Sequence, residues 1–419
     1  MRAVEKTVLV SLSTSAREKI EAGDSMDELE GLSRAAGAVV LEKVFQVRPR
    51  PSPRYFIGEG KVEELKALRE KVEAETFIFD HRLSPTQQRN LEAALEVKVI
   101  DRTQLILDIF ARRARSTEGK LQVELAQLKD LLPRLAGRGK SLSRLGGGIG
   151  TRGPGEKKLE TDRRHIQDRI TKIQREVRAV AKRRSGQRLS RKESLIPMVA
   201  LVGYTSVGKS TLFNRLAEES TPTSPSLFAT LDPLVRRARF ADGLPYFLSD
   251  TVGFIRKLPV ELVVSFRATL EEVLEADQVV HVIDLSAPSA DAQAEAVAKI
   301  LADIGAADIP VLRAYNKIDR LPDRGALLAR NAAAEEAVYL SAAAGDGVDD
   351  LKDRLRSRLY RGLRAFDLRL PKAVPGLAAS LGHRALILKK QEDGDYHVLR
   401  VMADPGQMVD LAPFITRGE

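Results

Sequence analysis

Apolar positions follow two different periods along the chain. Through about residue 115, short apolar runs alternate with amphipathic stretches: KTVLVSL, a helix pattern near SMDELEGLSRAAG, AVVLEKVFQV, GKVEELKALREKVEA, TFIFD, SPTQQRNLEAAL and VKVID. Strands and helices alternating at this length predict a parallel sheet with helices on its faces. The period then changes. Leu121, Leu125, Leu128, Leu132 and Leu135, and later Ile166, Ile170, Ile173, Val177 and Val180, are spaced four and three apart, which makes two heptad seams. The segment GRGKSLSRLGGGIGTRGPGE between them is too rich in glycine for a helix. The two seams therefore predict an antiparallel helical hairpin with this loop at its tip. From Ile196 to about Gly362 the strand and helix alternation resumes. After Phe366, two strand patterns flank the turn signal EDGD, a small α+β unit.

At 419 residues the chain exceeds one ordinary core and suits several domains. It has no cysteine, which excludes disulfides, thiolate nucleophiles and sulfur-based zinc sites and fits a reducing compartment. Its histidines form no HExxH. The opening MRAVEKTVLVSLS has no signal-peptide pattern, and no apolar run reaches the roughly 18 residues of a membrane span. A cytoplasmic protein without a membrane span is expected. Charge matters once it is located. From Arg134 to Lys192 nineteen Lys or Arg stand against five Asp or Glu, which exceeds the net +10 of the whole chain. An excess confined this way points to a polyanion partner. At the loop, Arg138, Lys140, Arg144 and Arg152 occur with no acid from Gly137 to Gly155, and Gly147 and Gly148, next to Thr151, allow close backbone approach. RNA contact is the expectation for these residues, against a plain helical linker.

The chemistry is concentrated in the third region. GYTSVGKS, Gly203 to Ser210, follows an apolar strand and precedes a helix, the context in which GxxxxGK[ST] binds phosphates. Backbone N-H groups across Gly203, Tyr204, Thr205, Ser206, Val207 and Gly208 can point at phosphates, and the helix from Lys209, Ser210 and Thr211 adds its positive end. Lys209 is placed for the β and γ phosphates and Ser210 for magnesium. Asp250 comes just after the apolar run LPYFL and is expected to act on the metal. It opens the turn Asp250, Thr251, Val252 and Gly253, where the Gly253 N-H would sense the γ phosphate. Phe228, Ala229 and Thr230 lie in SPSLFATLDP, a switch loop whose Thr230 would close on the metal. Lys209, Thr230 and Gly253 are thus the candidate catalytic residues, and Ser210, Thr230 and Asp250 the candidate metal ligands. Base choice falls to NKID, with Asn316, Lys317 and Asp319, and to Ser341 and Ala342. The Asp319 carboxylate accepts both donors of guanine, a pair that adenine lacks. The motifs therefore predict GTP as substrate and switch ligand with Mg2+ as cofactor. One position does not fit small GTPases: Phe254 stands where a glutamine would orient the attacking water.

Outside these motifs GEGKVEEL, LSPTQQRNLE, VIDRTQLILDIFARRARSTEGKLQVELAQL, GGGIGTRGPGEKKLETDRR, FATLDP and DTVGFIRKLP resemble the HflX family of ribosome-associated GTPases, up to about residue 285. The resemblance implies binding to the large ribosomal subunit and its RNA, splitting of stalled or idle ribosomes under stress, and GTP-dependent release. It places the hairpin tip, Gly146 to Gly155, against ribosomal RNA near the peptidyl-transferase centre. Where the family's phosphate loop carries asparagine, which in related GTPases helps hold potassium, this chain has the shorter Ser206. A second phosphate loop for ATP is not found in the first domain.

The expected architecture is α/β: an N-terminal parallel-sheet domain (1–115), a helical hairpin with basic tip and linker (116–192), a P-loop GTPase domain (193–362) and a small C-terminal α+β domain (363–419). The expected enzyme is a monomeric GTPase, slow alone and stimulated by large subunits. The alternative is a nucleotide-gated RNA-binding factor in ribosome assembly or RNA remodelling.

Overall fold

Short apolar runs such as Val8 to Val10, Phe77 to Phe79 and Val199 to Val202 form buried parallel strands, as expected for sheets covered on both faces. The computed structural model describes residues 5–15, 18–135, 154–193, 195–218, 234–257, 272–373, 381–382 and 384–418. They form two compact units. The first runs to Ala179 and takes in Ile255 to Lys257; the second holds the other described residues.

In the first unit β1 (Glu5–Ser13), β2 (Ala38–Val47), β3 (Thr76–Phe79) and β4 (Lys98–Asp101) lie in the order β2-β1-β3-β4, all parallel. Val8, Val10, Phe77 and Phe79 pack with Leu65 and Leu91 of the covering helices Glu59–Val72 and Pro85–Leu95. SPTQ starts the second of these helices with a capping box, in which Ser84 and Gln87 satisfy each other's backbone donors. At the sheet's carboxyl edge Arg102 lies 2.8 Å from Asp80, and Lys257 lies 2.5 Å from the same carboxylate. Burial works to raise the Asp80 pKa, but the charges of Arg102 and Lys257 outweigh it and hold the carboxyl below its usual range.

The helices Thr117–Leu135 and Pro154–Glu193 meet along the two heptad seams. Leu125, Ile170 and Ile173 form the buried centre, with Leu121, Leu128, Leu132, Ile166 and Val177 around it. Arg169 adds a two-pronged contact to Glu124, at 2.7 and 2.9 Å. The basic run KRRSGQRLSRK, read as a linker, is helical through Glu193. Lys and Arg are good helix formers, so a helix persists there without an apolar stripe to announce it.

The second unit carries a six-stranded sheet in the order β10-β9-β8-β5-β7-β6. Its strands are β5 (Met198–Gly203), β6 (Leu234–Arg239), β7 (Pro245–Asp250), β8 (Gln278–Asp284), β9 (Val311–Asn316) and β10 (Ala337–Tyr339). Only β6 runs antiparallel to its neighbour. The carboxyl ends of β5, β7, β8 and β9 deliver Gly203, Asp250, Asp284 and Asn316 to one edge, where open α/β sheets place their ligand sites. Beyond it, β11 (Arg364–Pro371), β12 (Ala385–Asp393), β13 (Tyr396–Ala403) and β14 (Ile415–Gly418) form an antiparallel sheet ordered β12-β13-β11-β14. Leu368, Leu370, Leu399 and Val401 make its core. The α/β reading of the sequence holds, with this antiparallel sheet at the C-terminal end. Among the described residues no helix is long and apolar enough to cross a membrane.

Candidate functional site

The phosphate loop turns from the buried strand β5 into the helix Lys209–Ala217. Gly208 makes that turn at φ 99°, and a Cβ there would stand 2.4 Å from the Asn316 amide nitrogen. Only glycine fits such a position. Lys209 is 6% exposed, and its ammonium donates to the Gly203 and Tyr204 carbonyls at 3.0 and 2.8 Å. That uses two of its three donors and orients the charge across the loop. Burial pulls the Lys209 pKa down to about 8, with Asp250's charge acting the other way. An anion in the loop would restore the balance.

Asp250 ends β7 and accepts from the Ser210 hydroxyl at 2.8 Å. Two oxygen donors side by side at a phosphate loop fit magnesium, which takes one or two protein oxygens and completes its shell with phosphate and water. Thr251 is fully buried and gives its hydroxyl to the Leu201 carbonyl at 2.7 Å, so its side chain serves the sheet. Gly253 lies directly over the loop. A Cβ on it would stand 2.8 Å from Thr205 Cγ2 and 3.1 Å from Lys209 Nζ. Phe254 is 2% exposed. Its backbone forms a parallel bridge with Tyr204, donating to Gly203 O at 3.1 Å and accepting from Thr205 N at 2.8 Å.

The predicted base-reading residues come together at the ends of β9 and β10. Asn316 is buried and bridges two loops, donating to Val207 O at 2.7 Å and accepting from Ala342 N at 2.8 Å. Lys317 donates to Ser206 O at 2.7 Å. Ser341 donates to the Asp319 carboxylate at 2.5 Å and so fixes its direction. Sequence reading missed two contributors. Arg215, on the helix behind the phosphate loop, donates to the Ala342 and Ala343 carbonyls at 3.2 and 2.8 Å. Asp284, at the end of β8, lies 2.6 Å from Lys317 Nζ. Neither belongs to a motif, and neither has a signal in sequence spacing.

Phe228, Ala229 and Thr230 of the expected switch loop lie outside the described residues. So do all the expected RNA-contact positions: Arg138, Lys140, Arg144, Gly147, Gly148, Thr151 and Arg152.

With this geometry in view, three family models match the chain. Residues 23–111 match "GTP-binding GTPase N-terminal", 113–191 "GTP-binding GTPase Middle Region" and 198–317 "50S ribosome-binding GTPase". GTPase HflX of Caldanaerobacter subterraneus subsp. tengcongensis is 46% identical over 88% of this chain and 83% of its own length. GTPase HflX of Escherichia coli K12 is 45% identical over 93% of this chain and 92% of its own. Among solved structures, a GTP-binding protein from Sulfolobus solfataricus in complex with GDP is 24% identical over 84% of this chain and 98% of that one, with a TM-score of 0.44.

Proposed function

Because the chain belongs to the HflX GTPase family, we propose that its GTP cycle acts on the large ribosomal subunit and splits ribosomes, under stress, in the cytoplasm and as a monomer. Binding of guanine nucleotide and hydrolysis of GTP come with the family; the target and its coupling are the proposal. In this reading Lys209, the loop N-H groups and Gly253 take the phosphates, and Ser210, Asp250 and Thr230 hold Mg2+. The ion, when bound, offsets charge on the phosphate oxygens. Asn316, Lys317, Asp319, Ser341 and Ala342 hold the base, and the basic tip from Arg138 to Arg152 meets ribosomal RNA.

The observation that carries the coupling is the environment of Phe254. The residue is 2% exposed and its backbone is bonded to the phosphate loop on both sides, so the place after Gly253 offers the attacking water no polar side chain. Hydrolysis then depends on a group or rearrangement supplied on the target, which keeps the GTP-bound form intact until it has acted. The match to a model described as a 50S ribosome-binding GTPase supports the ribosome as that target, and so does the basic excess before residue 193.

Sedimentation of intact ribosomes with the protein and a non-hydrolysable GTP analogue tests the reading. Separated subunits are expected. Binding confined to immature particles would instead indicate an RNA-binding factor in ribosome assembly.

A further inference from the structure

We propose that Asp284 is a positioning residue of the guanine-nucleotide site, acting through Lys317 to hold the phosphate loop and the base-reading loop in one arrangement. The inference rests on the assignment of that site above. Asp284 ends β8, where its backbone is in register with Asn316. One carboxylate oxygen accepts from the Ser286 N-H at 3.0 Å and the Ser286 hydroxyl at 2.6 Å. The other faces Lys317 Nζ at 2.6 Å. Lys317 in turn donates to the Ser206 carbonyl at 2.7 Å. A continuous chain of contacts therefore runs from the end of β8, through the base motif, to the middle of the phosphate loop.

Backbone conformation shows what this chain restrains. Lys317 and Ser206 stand at φ 66° and 61°, a left-handed conformation costly to residues with a Cβ. Both belong to nucleotide motifs, and the Lys317 side chain bonds the Ser206 backbone directly. Strained residues persist where their surroundings hold them. A lone bond from a lysine to an exposed carbonyl holds weakly, because water competes for both groups. The Asp284 carboxylate changes that. Its side chain is 13% exposed and that of Lys317 18%, so the ammonium is kept on a charged partner largely out of water. Ser286 fixes the carboxylate's rotation, so Lys317 has one preferred place. Without Asp284 the ammonium can swing away, Ser206 can relax, and the loop N-H groups lose their alignment before nucleotide arrives.

The alternative is that Asp284 only shapes the turn after β8 through Ser286. Asp284→Asn separates the two roles: the amide keeps an acceptor for Ser286 but loses the charge facing Lys317. With the full-length protein and a fluorescent GDP analogue, Asp284→Asn is expected to bind about tenfold more weakly, mainly through faster release. Its KM for GTP should rise at least fivefold more than its kcat falls. In a Lys317→Met background the same substitution should change GDP affinity less than twofold, because its partner is gone. Wild-type affinity in Asp284→Asn, or an undiminished loss in the Lys317→Met background, overturns the inference. If Asp284→Asn does not fold, Asp284→Glu and Asp284→Gln carry the test. The glutamate variant should bind at least fivefold more tightly, and equal affinities overturn it. Wild-type guanine affinity in Lys317→Met would overturn the site assignment itself, a result distinct from failure at Asp284 alone.

Discussion

His281, in the middle of β8, is 4% exposed, and burial lowers its pKa to about 4, with the charges of Arg313 and Lys209 acting in the same direction. Its ordinary value is 6.5. Between these values the unfolded chain binds a proton that the folded chain refuses. The stability from a neutral His281 is therefore complete above pH 6.5 and is lost as pH falls toward 4, by about 3 kcal/mol. Urea midpoints across that window should fall more steeply for the native protein than for His281→Gln; parallel curves would remove this role. At this scale the sequence was legible where a motif names the atom. Lys209, Asp250, Asn316, Asp319 and Ser341 converge at one sheet edge, as their spacing required. Asp284 and Arg215 were not legible, because each acts on a backbone carbonyl or a lysine that only folding brings near.

Among elements, the segment leaving β7 has the tightest constraint. Gly253 passes over the phosphate loop with no room for a methyl group, and Phe254 is bonded to Gly203 and Thr205 just beyond. A Cβ 2.9 Å from the Thr205 Cα meets backbone, which cannot swing aside as a flexible side chain would. Gly253→Ala should displace the segment and lower GTP hydrolysis by on the order of 100-fold, the scale of losing one aligned backbone donor. GDP has no γ phosphate for this segment to meet, so its affinity should stay within about threefold. Equal losses for both nucleotides would mean that the substitution had distorted the phosphate loop instead. Buried strands and heptad seams were legible because apolar period reports burial directly. The edge strand β6, with its sequence LVRRAR, was not, because exposed arginines mask the alternation. Nor was the helix through 182–193, where charge hid the period.

For the whole molecule, the question is whether a GTPase with no glutamine after Gly253 hydrolyses GTP slowly when alone, as the proposed coupling requires. In the proposed cycle the basic stretch before the nucleotide domain attracts a polyanion, and docking on it completes the hydrolytic site. The most direct measurement is steady-state phosphate release by the full-length protein, with and without purified large ribosomal subunits. The account predicts slow release alone and stimulation of at least about tenfold by subunits, equivalent to about 1.4 kcal/mol of barrier. Fast release without subunits, or equal rates in both conditions, would contradict it and require an internal group to position the water.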